Sequence, residues 1–266
     1  MLYISHLLED EDMRQLIMQT EMGVESIEFS ISDNLDQLEK KIGEYENRLI
    51  KMEAGTANAV VGANATEFRS NSRNLTLHGP FLDLNPVAFD SIVQQATMTR
   101  YEQCYQAARR LGAKKIIFHS CFVPSVYFLE GWAERMAEFL NRFLENKTEE
   151  IQILMENVLD PFPEPFAEVA RRVTHPAFGI CLDVGHAHCY SEIPCETWIS
   201  ELEPYIRHLH LHDNCGDKDS HLGLGNGTLQ KEKILSLIGS GIDGTIECRS
   251  VTDVLQTYEI CTRTYK

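Results

Sequence analysis

Short apolar runs rich in β-branched residues alternate with amphipathic stretches along the whole chain. Alternation of this kind is typical of βαβ units, in which parallel strands form a sheet that helices cover. The pattern therefore predicts an α/β fold. Eight runs have the length and composition of strands: Leu2–His6, Ser26–Ser30, Leu75–Pro80, Lys115–Cys121, Ile151–Val158, Phe178–Val184, His208–His212 and Thr245–Arg249.

The stretches between these runs have the periodicity of helices that bury one face. One stretch, Lys51–Asn74, is rich in Ala, Asn, Gly and Ser and has no clear period. We expect it to be an irregular or partly helical insertion before the third strand. Three apolar faces are Leu35, Leu38, Ile42, Tyr45 and Leu49; Tyr101, Cys104, Ala108 and Leu111; and Trp132, Met136, Phe139 and Phe143.

Eight alternating strands fit either a closed barrel or a doubly wound open sheet. The open sheet predicts a glycine-rich nucleotide fingerprint after the first strand, and the sequence has none there. The length of 266 residues suits one barrel, which usually needs roughly 250. We therefore predict a single-domain (β/α)8 TIM barrel over residues 1–266.

Side chains that can bind metal ions recur at the ends of the third to eighth strands. Active sites of α/β barrels lie at the carboxyl ends of the strands, so these side chains should meet at one mouth. A carboxylate directed into a barrel is costly unless it is neutralised, and a divalent cation held with imidazoles would neutralise it. The residues are His78, His119, Glu156, Asp183, His186, His208, His210, His212 and Glu247.

The loop after the seventh strand adds two candidate ligands, Asp219 and His221. Its glycine-rich run over residues 223–227 could bring the backbone close to a ligand and donate N–H groups to a phosphate. Lys218 and Arg249 are candidates for contact with an anionic substrate, although solvated or ion-paired roles are the alternative for both.

Each of these residues also has a purely structural interpretation. A single buried histidine is more often hydrogen-bonded within the core than bound to metal. Asp183 could cap a helix, and Glu156 could form an ion pair. We expect His208, deeper in its strand, to pack or to orient a ligand, and Asp213 to hold an imidazole in place. The joint pattern at six consecutive strand ends, and no single residue, predicts the metal site.

Charge and cysteine content restrict the partners and the compartment. The 24 Lys and Arg against 40 Asp and Glu give a net charge of −16, which argues against nucleic acid and anionic membranes. Acidic residues at 9–12 do not fit a signal peptide, and no apolar run reaches the roughly 18 residues of a membrane span. Eight cysteines without a C-x-x-C pair predict reduced thiols in the cytoplasm.

These motifs together resemble the xylose isomerase-like barrel superfamily, which includes endonuclease IV and the sugar and sugar-phosphate isomerases and epimerases. The resemblance covers residues 75–249 and, more loosely, the two strands before them. The motifs that carry it are Leu77-His78-Gly79-Pro80, Phe118-His119-Ser120, Met155-Glu156-Asn157, Leu182-Asp183-Val184-Gly185-His186, His208-Leu209-His210-Leu211-His212-Asp213, Asp219-Ser220-His221 and Ile246-Glu247.

The isomerase and epimerase branch implies one divalent metal held by Glu156, Asp183, His210 and Glu247. Glu156 and Glu247 would also form the acid/base pair, and His186 would hydrogen-bond a substrate oxygen. The implied activity is isomerisation or epimerisation of a small sugar or sugar phosphate, by proton transfer through a metal-stabilised enediolate.

Endonuclease IV implies a fuller ligand set for three zinc ions, and every position of that set is filled here. The alternative is therefore a multinuclear zinc phosphoesterase. The acidic net charge argues against DNA as its substrate. So does Phe81, which follows His78 where the resemblance to endonuclease IV implies a polar aromatic residue. We expect one to three divalent ions, zinc or manganese, and a carbohydrate or phosphoester substrate; the resemblance also allows a homodimer. The nine ligand positions are His78, His119, Glu156, Asp183, His186, His210, Asp219, His221 and Glu247.

Overall fold

The computed structural model describes residues 1–53 and 74–263, and its eight parallel strands close into a barrel. Each strand pairs with its neighbours in chain order, and β8 returns to β1 with Ile246 beside Ile4. The predicted (β/α)8 barrel is confirmed. The strands are β1 Leu2–Ser5, β2 Gly23–Ser26, β3 Leu75–His78, β4 Lys115–His119, β5 Gln152–Glu156, β6 Phe178–Asp183, β7 Ile206–Leu211 and β8 Asp243–Ile246.

Helices follow the strands and cover the outside of the barrel. The longest of the described helices begins after Asp90, whose carboxylate accepts hydrogen bonds from the N–H groups of Ile92 and Val93. It ends at Leu111, and Gly112 follows in the left-handed conformation. A 3₁₀ helix spans Glu28–Ser30. The α-helices are α1 Asp10–Thr20, α2 Ser32–Asp36, α3 Leu38–Glu53, α4 Ser91–Leu111, α5 Trp132–Leu144, α6 Glu164–Arg172, α7 Val184–Tyr190, α8 Cys195–Leu202, α9 Glu232–Gly239 and α10 Val251–Arg263.

The prediction for the second strand is wrong by three residues. The strand runs over Gly23–Ser26, where Tyr3 of β1 lies beside Gly23 and Leu77 of β3 lies beside Ser26. Most of the predicted segment after Ser26 forms the 3₁₀ helix instead. The eighth strand is also earlier than predicted, so Glu247 directly follows it. Both shifts keep the carboxyl ends of the strands level at one mouth.

The barrel interior has an apolar layer directly beneath the strand-end side chains. Ile117, Leu154 and Cys181 form a buried cluster separate from the main core, which lies between the strands and the helices. Each of the three stands two residues before a strand-end residue, so the two side chains share a face. The predicted inward direction of the strand-end residues follows from this pairing.

The insertion predicted over Lys51–Asn74 is only partly described. Residues 51–53 are the last turn of α3, in agreement with partial helicity, whereas residues 54–73 lie outside the described residues. Across the described part of the chain, no helix combines the length and the apolar composition that crossing a bilayer requires.

Candidate metal centre

The predicted ligands meet at the carboxyl ends of the strands, where they form three neighbouring sets of donor atoms. Set A consists of His78, His119 and Glu156, from the last residues of β3, β4 and β5. Set B shares Glu156 with set A and adds one residue each from the end of β6, from β7 and from just after β8. Set C comes from α7 and the loop after β7. In full, set B is Glu156, Asp183, His210 and Glu247, and set C is His186, Asp219 and His221.

The donor atoms of set A form a nearly equilateral triangle. Nε2 of His78 lies 3.2 Å from Nε2 of His119, and each of these nitrogens lies 3.5 Å from Oε2 of Glu156. Ligands bound tetrahedrally at zinc distances are separated from one another by about 3.3 Å. Set A therefore has the spacing of a zinc site.

Set B is arranged around Nδ1 of His210. This nitrogen lies 3.1 Å from Oε1 of Glu156, 3.6 Å from Oε1 of Glu247 and 3.8 Å from Oδ2 of Asp183. Because Glu156 turns Oε1 to set B and Oε2 to set A, one carboxylate joins the two sets.

Set C is centred on the carboxylate of Asp219. Its Oδ2 lies 3.0 Å from Nε2 of His221 and 3.6 Å from Nε2 of His186. His221 has a positive φ of 49°, a conformation uncommon for a non-glycine residue and often associated with functional sites. The loop after β7 thus completes a third set that no strand end alone could supply.

Three of the imidazoles are fixed in the same way by the backbone. His78, His186 and His221 donate Nδ1–H to the carbonyls of Gly79, Asn157 and Glu247, at 3.0, 3.0 and 2.6 Å. A carbonyl can only accept, so Nδ1 carries a proton, and in the neutral imidazole Nε2 is the nitrogen with the lone pair that faces the site. Metal-binding histidines are usually oriented by a hydrogen bond of this kind.

Buried polar atoms without a hydrogen-bond partner among the described residues concentrate at this mouth. They include Oε2 of Glu156, Nδ1 of His212 and Oδ1 of Asp219. A buried polar atom left unpaired costs about 1–3 kcal/mol, so such a cluster needs an explanation. A bound cation would supply the missing interactions, and the chemistry of the donors suits a divalent metal.

The carboxylates and imidazoles shift one another's pKa values in opposite directions. Burial raises the pKa of Glu156, but His210 and His119 outweigh burial and hold it well below its ordinary value. Burial raises the pKa of Glu247, and neighbouring Glu25 adds to that rise against the opposing effect of His210. The pKa values of these two carboxyl groups are therefore shifted in opposite directions, as in acid/base pairs.

Among the histidines, burial lowers the pKa of His119 to about 3, which favours the neutral, metal-binding imidazole. His186 behaves differently because Asp183 and hydrogen-bonded Asp219 outweigh the lowering effect of burial and raise its pKa to about 10. The charged form of His186 thus offsets the negative charge of these two carboxylates.

The structure also brings in His212, which the sequence analysis placed inside the barrel but did not count among the nine ligands. Its Nε2 lies 3.0 Å from Oδ1 of Asp183, and its ring stacks on His221 at 4.1 Å between centroids. Gly185 makes room for this ring, because a Cβ at that position would overlap the imidazole. A glycine two residues after Asp183 is the signal that could have indicated the close approach.

The glycine-rich loop has a different role from the predicted phosphate cradle. The N–H groups of Gly225 and Gly227 donate to Oδ2 of Asp213, at 2.9 and 3.1 Å. The other oxygen of Asp213 accepts the N–H groups of Asn214 and Leu229. Asp213 therefore anchors the loop that carries Asp219 and His221, and the two glycine N–H groups are engaged within the protein.

A cavity of about 380 Å³ opens above the three sets. Its walls include apolar side chains such as Phe81, whose ring stacks on His119 at 4.2 Å between centroids. Among the described residues that line it, Arg249 is the single Lys or Arg. Seven of the nine predicted ligands line the cavity: His78, His119, Glu156, His186, Asp219, His221 and Glu247.

Curated proteins that are similar in sequence to this chain include the following two. The uncharacterized protein MJ1311 of Methanocaldococcus jannaschii is 27% identical over 206 residues, which cover 70% of this chain and 68% of that protein. A probable endonuclease 4 of Symbiobacterium thermophilum is 29% identical over 190 residues, which cover 62% of this chain and 66% of that protein.

Solved structures share the fold over nearly the full length. The TTHB071 protein from Thermus thermophilus, soaked with ZnCl2, has a TM-score of 0.75 at 23% identity and covers 99% of this chain and 97% of its own. A D-tagatose 3-epimerase-like protein has a TM-score of 0.73 at 19% identity, with coverages of 99% and 96%. The family model described as xylose isomerase-like TIM barrel matches residues 20–257. Because the chain forms the closed barrel and the family model matches most of its length, the protein belongs to the xylose isomerase-like TIM barrel family.

Proposed function

We propose that this protein is a divalent-metal-dependent isomerase or epimerase of a small sugar or sugar phosphate. The observation that carries the proposal is the pair Glu156 and Glu247, which stand at the ends of β5 and β8 and line one cavity. Two carboxyl groups that reach one substrate from different strands suit proton removal and proton return.

The reaction needs a proton moved between two carbons, or between two faces of one carbon. One carboxylate takes the proton from the carbon next to the carbonyl, and the other carboxyl group returns a proton to the neighbouring carbon or to the opposite face. In an isomerisation the proton of the adjacent hydroxyl also moves to the former carbonyl oxygen, so that the old hydroxyl becomes the new carbonyl. His186 would hydrogen-bond a substrate oxygen from the cavity wall. One divalent ion, zinc or manganese, held by set B would polarise the carbonyl and the adjacent hydroxyl, which is the chemistry that the ion supplies.

The size and charge of the cavity support a small substrate. A volume of about 380 Å³ falls in the range of small-molecule sites. Arg249 could contact a phosphate or hydroxyl at the mouth, while the net charge of −16 disfavours the backbone of a nucleic acid. The resemblance in fold to a D-tagatose 3-epimerase-like protein is consistent with a carbohydrate substrate.

Solvent exchange tests this function across many candidate substrates at once. Zinc- and manganese-loaded protein is incubated in D2O with a panel of aldoses, ketoses and their phosphates, and deuterium in the recovered sugar is measured by mass spectrometry. The proposal expects deuterium at one carbon of at least one sugar, together with its isomer or epimer. Absence of exchange across the panel with metal-loaded protein would overturn it.

A second candidate, zinc-dependent hydrolysis of a small phosphoester, is favoured by the presence of set C beside sets A and B. One metal does not require His221 and Asp219, whereas a cluster of up to three zinc ions does, and such a cluster supplies charge neutralisation for a phosphate ester. Similarity to a probable endonuclease 4 supports the same candidate. Its test is hydrolysis of bis(p-nitrophenyl) phosphate, which His221→Ala and Asp219→Ala should abolish. Full hydrolysis by both variants would reject it.

A further inference from the structure

Glu25 is a fully buried carboxylate that belongs to none of the three sets. It lies on β2 inside the barrel, with 0% exposure, and the sequence analysis missed it because the strand was placed too late. Barrel interiors are normally filled by branched apolar side chains. A buried carboxylate there requires compensating partners, and these partners indicate its role.

Glu25 faces the side of His210 that points away from set B. Its Oε1 lies 3.1 Å from Nε2 of His210, while Nδ1 of the same ring faces Glu156. The distance suits a hydrogen bond but the angle does not, and neither atom has another hydrogen-bond partner among the described residues. A small rotation of the ring would therefore satisfy both atoms at once. A proton held on Nε2 by Glu25 leaves the lone pair of His210 on Nδ1, directed at set B.

The other oxygen of Glu25 ends a directed chain of buried hydrogen bonds. Nζ of Lys115 lies 3.1 Å from Nδ1 of His208, and an ammonium can only donate, so Nδ1 accepts and Nε2 carries the proton. That Nε2 donates to Oγ1 of Thr245 at 2.7 Å, and Oγ1 donates to Oε2 of Glu25 at 2.6 Å. Lys115 is itself held by Asp243, with Nζ 2.6 Å from Oδ2. The chain from Lys115 through His208 and Thr245 therefore ends on Glu25.

From this geometry we propose that Glu25 is a positioning residue, which holds His210 with Nδ1 facing set B and is itself fixed by the chain through Thr245, His208 and Lys115. The role concerns metal binding, so it holds whether the reaction is isomerisation or phosphoester hydrolysis. It also explains why polar residues replace the usual apolar filling beneath one side of the mouth.

The same residues do not form a fourth metal site. Glu25, His208 and His210 could place three donor atoms close together. However, Nε2 of His208 is already engaged with Thr245, and the Lys115 ammonium beside Nδ1 would repel a cation. A chain of hydrogen bonds that ends on the carboxylate of Glu25 fits support of a neighbouring ligand.

The test compares metal binding by Glu25→Gln with binding by the wild-type chain. The amide keeps the size of the side chain but loses the charge and one acceptor. Affinity for Zn²⁺ is measured by competition with a chromophoric chelator, and the visible absorption of Co²⁺-loaded protein reports the ligand geometry. Glu28→Gln is the matched control, since Glu28 stands three residues away and pairs with Arg48, 3.1 Å from its Nη1, outside this chain.

We expect Glu25→Gln to bind Zn²⁺ roughly 10–100-fold more weakly and to change the Co²⁺ bands, at an unchanged unfolding midpoint of the metal-free protein. Thr245→Val, which removes the hydroxyl that fixes Glu25, should weaken Zn²⁺ binding in the same direction by less. Wild-type affinity and spectrum in Glu25→Gln, or an equal loss in Glu28→Gln, would overturn the proposal. If Glu25→Gln fails to fold, Thr245→Val decides: weaker binding supports the role, and unchanged binding rejects it.

Discussion

Oε1 of Glu156 lies 3.1 Å from Nδ1 of His210, so the end of β5 meets the inner face of β7 although 54 residues separate them in the chain. The second oxygen of Glu156 faces His78 and His119, each at 3.5 Å. A carboxylate shared in this way couples the occupancy of sets A and B.

Replacing Glu156 should therefore reduce metal binding at both set A and set B. Glutamine offers a single oxygen in place of two, and we expect Glu156→Gln to retain less zinc per chain than the wild-type protein after loading and desalting. Elemental analysis measures the content. Glu150→Gln, at an exposed position shortly before β5, is the control and should load fully. An unchanged zinc content in Glu156→Gln would contradict the bridging role.

Glu247→Gln should separate proton transfer from metal binding. Three other donors of set B remain, so most metal should be retained. Loss of the carboxyl should lower solvent-deuterium incorporation by about 10²–10⁴-fold, the usual contribution of a general acid or base. Glu232→Gln, an exposed change at the start of α9, should exchange at the wild-type rate. Undiminished exchange in Glu247→Gln would remove it from the acid/base pair.

Gly185→Ala and Gly43→Ala should change stability in opposite directions, although both glycines are helical. At Gly185 the added methyl group would overlap the ring of His212, and overpacking typically costs about 1–3 kcal/mol. At Gly43 on α3 the methyl group meets nothing within 4 Å, and replacing glycine in a helix gains roughly 0.5–1 kcal/mol. Thermal unfolding of both variants checks the signs. Equal shifts would mean that His212 does not occupy this space.

Asp160 should make stability depend on pH. Burial raises its pKa to about 7, although the hydroxyl of Ser120 and the N–H of Val158 donate to its Oδ2. In the unfolded chain the pKa is about 3.9. Between these values the folded protein binds the extra proton, so the free energy of unfolding falls as pH rises from about 4 to 7.

Asp160→Asn removes this titration while keeping an acceptor for both donors. We expect the variant to gain stability relative to the wild-type protein across the same interval, by at most about 1.4 kcal/mol per pH unit. Chemical denaturation of both proteins at pH 4.5, 5.5 and 6.5 measures the difference. A constant difference across the three values would contradict a raised pKa for Asp160.

The barrel, and the gathering of the predicted ligands at one mouth, could be predicted because the signal is local to each strand. His78, His119, Glu156 and Asp183 each end an apolar run, and in a parallel barrel all such ends meet at one mouth. Distances between donors could not be predicted, because they depend on how the strands are staggered. For the same reason the sequence did not indicate that Glu156 lies between sets A and B.

Glu25 was missed because the sequence gives only a weak indication of where the second strand ends. Ile27 and Phe29 alternate with polar residues as a strand does, whereas the paired strand ends at Ser26 and the following residues turn into a 3₁₀ helix. Pairing with β1 and β3 decides that boundary, and such long-range contacts outweigh local alternation. The role of Asp213 was hidden similarly, because its partners Gly225 and Gly227 lie more than ten residues further along.

Metal content per chain tests the central claim most directly. The wild-type protein is purified without chelator, analysed for zinc and manganese, then replenished with each ion, desalted and analysed again. The account predicts one to three equivalents of a divalent ion per chain, held through desalting and lost from Glu156→Gln. Absence of bound metal after replenishment would contradict it, and the His-, Asp- and Glu-lined mouth would then have to be explained as a purely structural network.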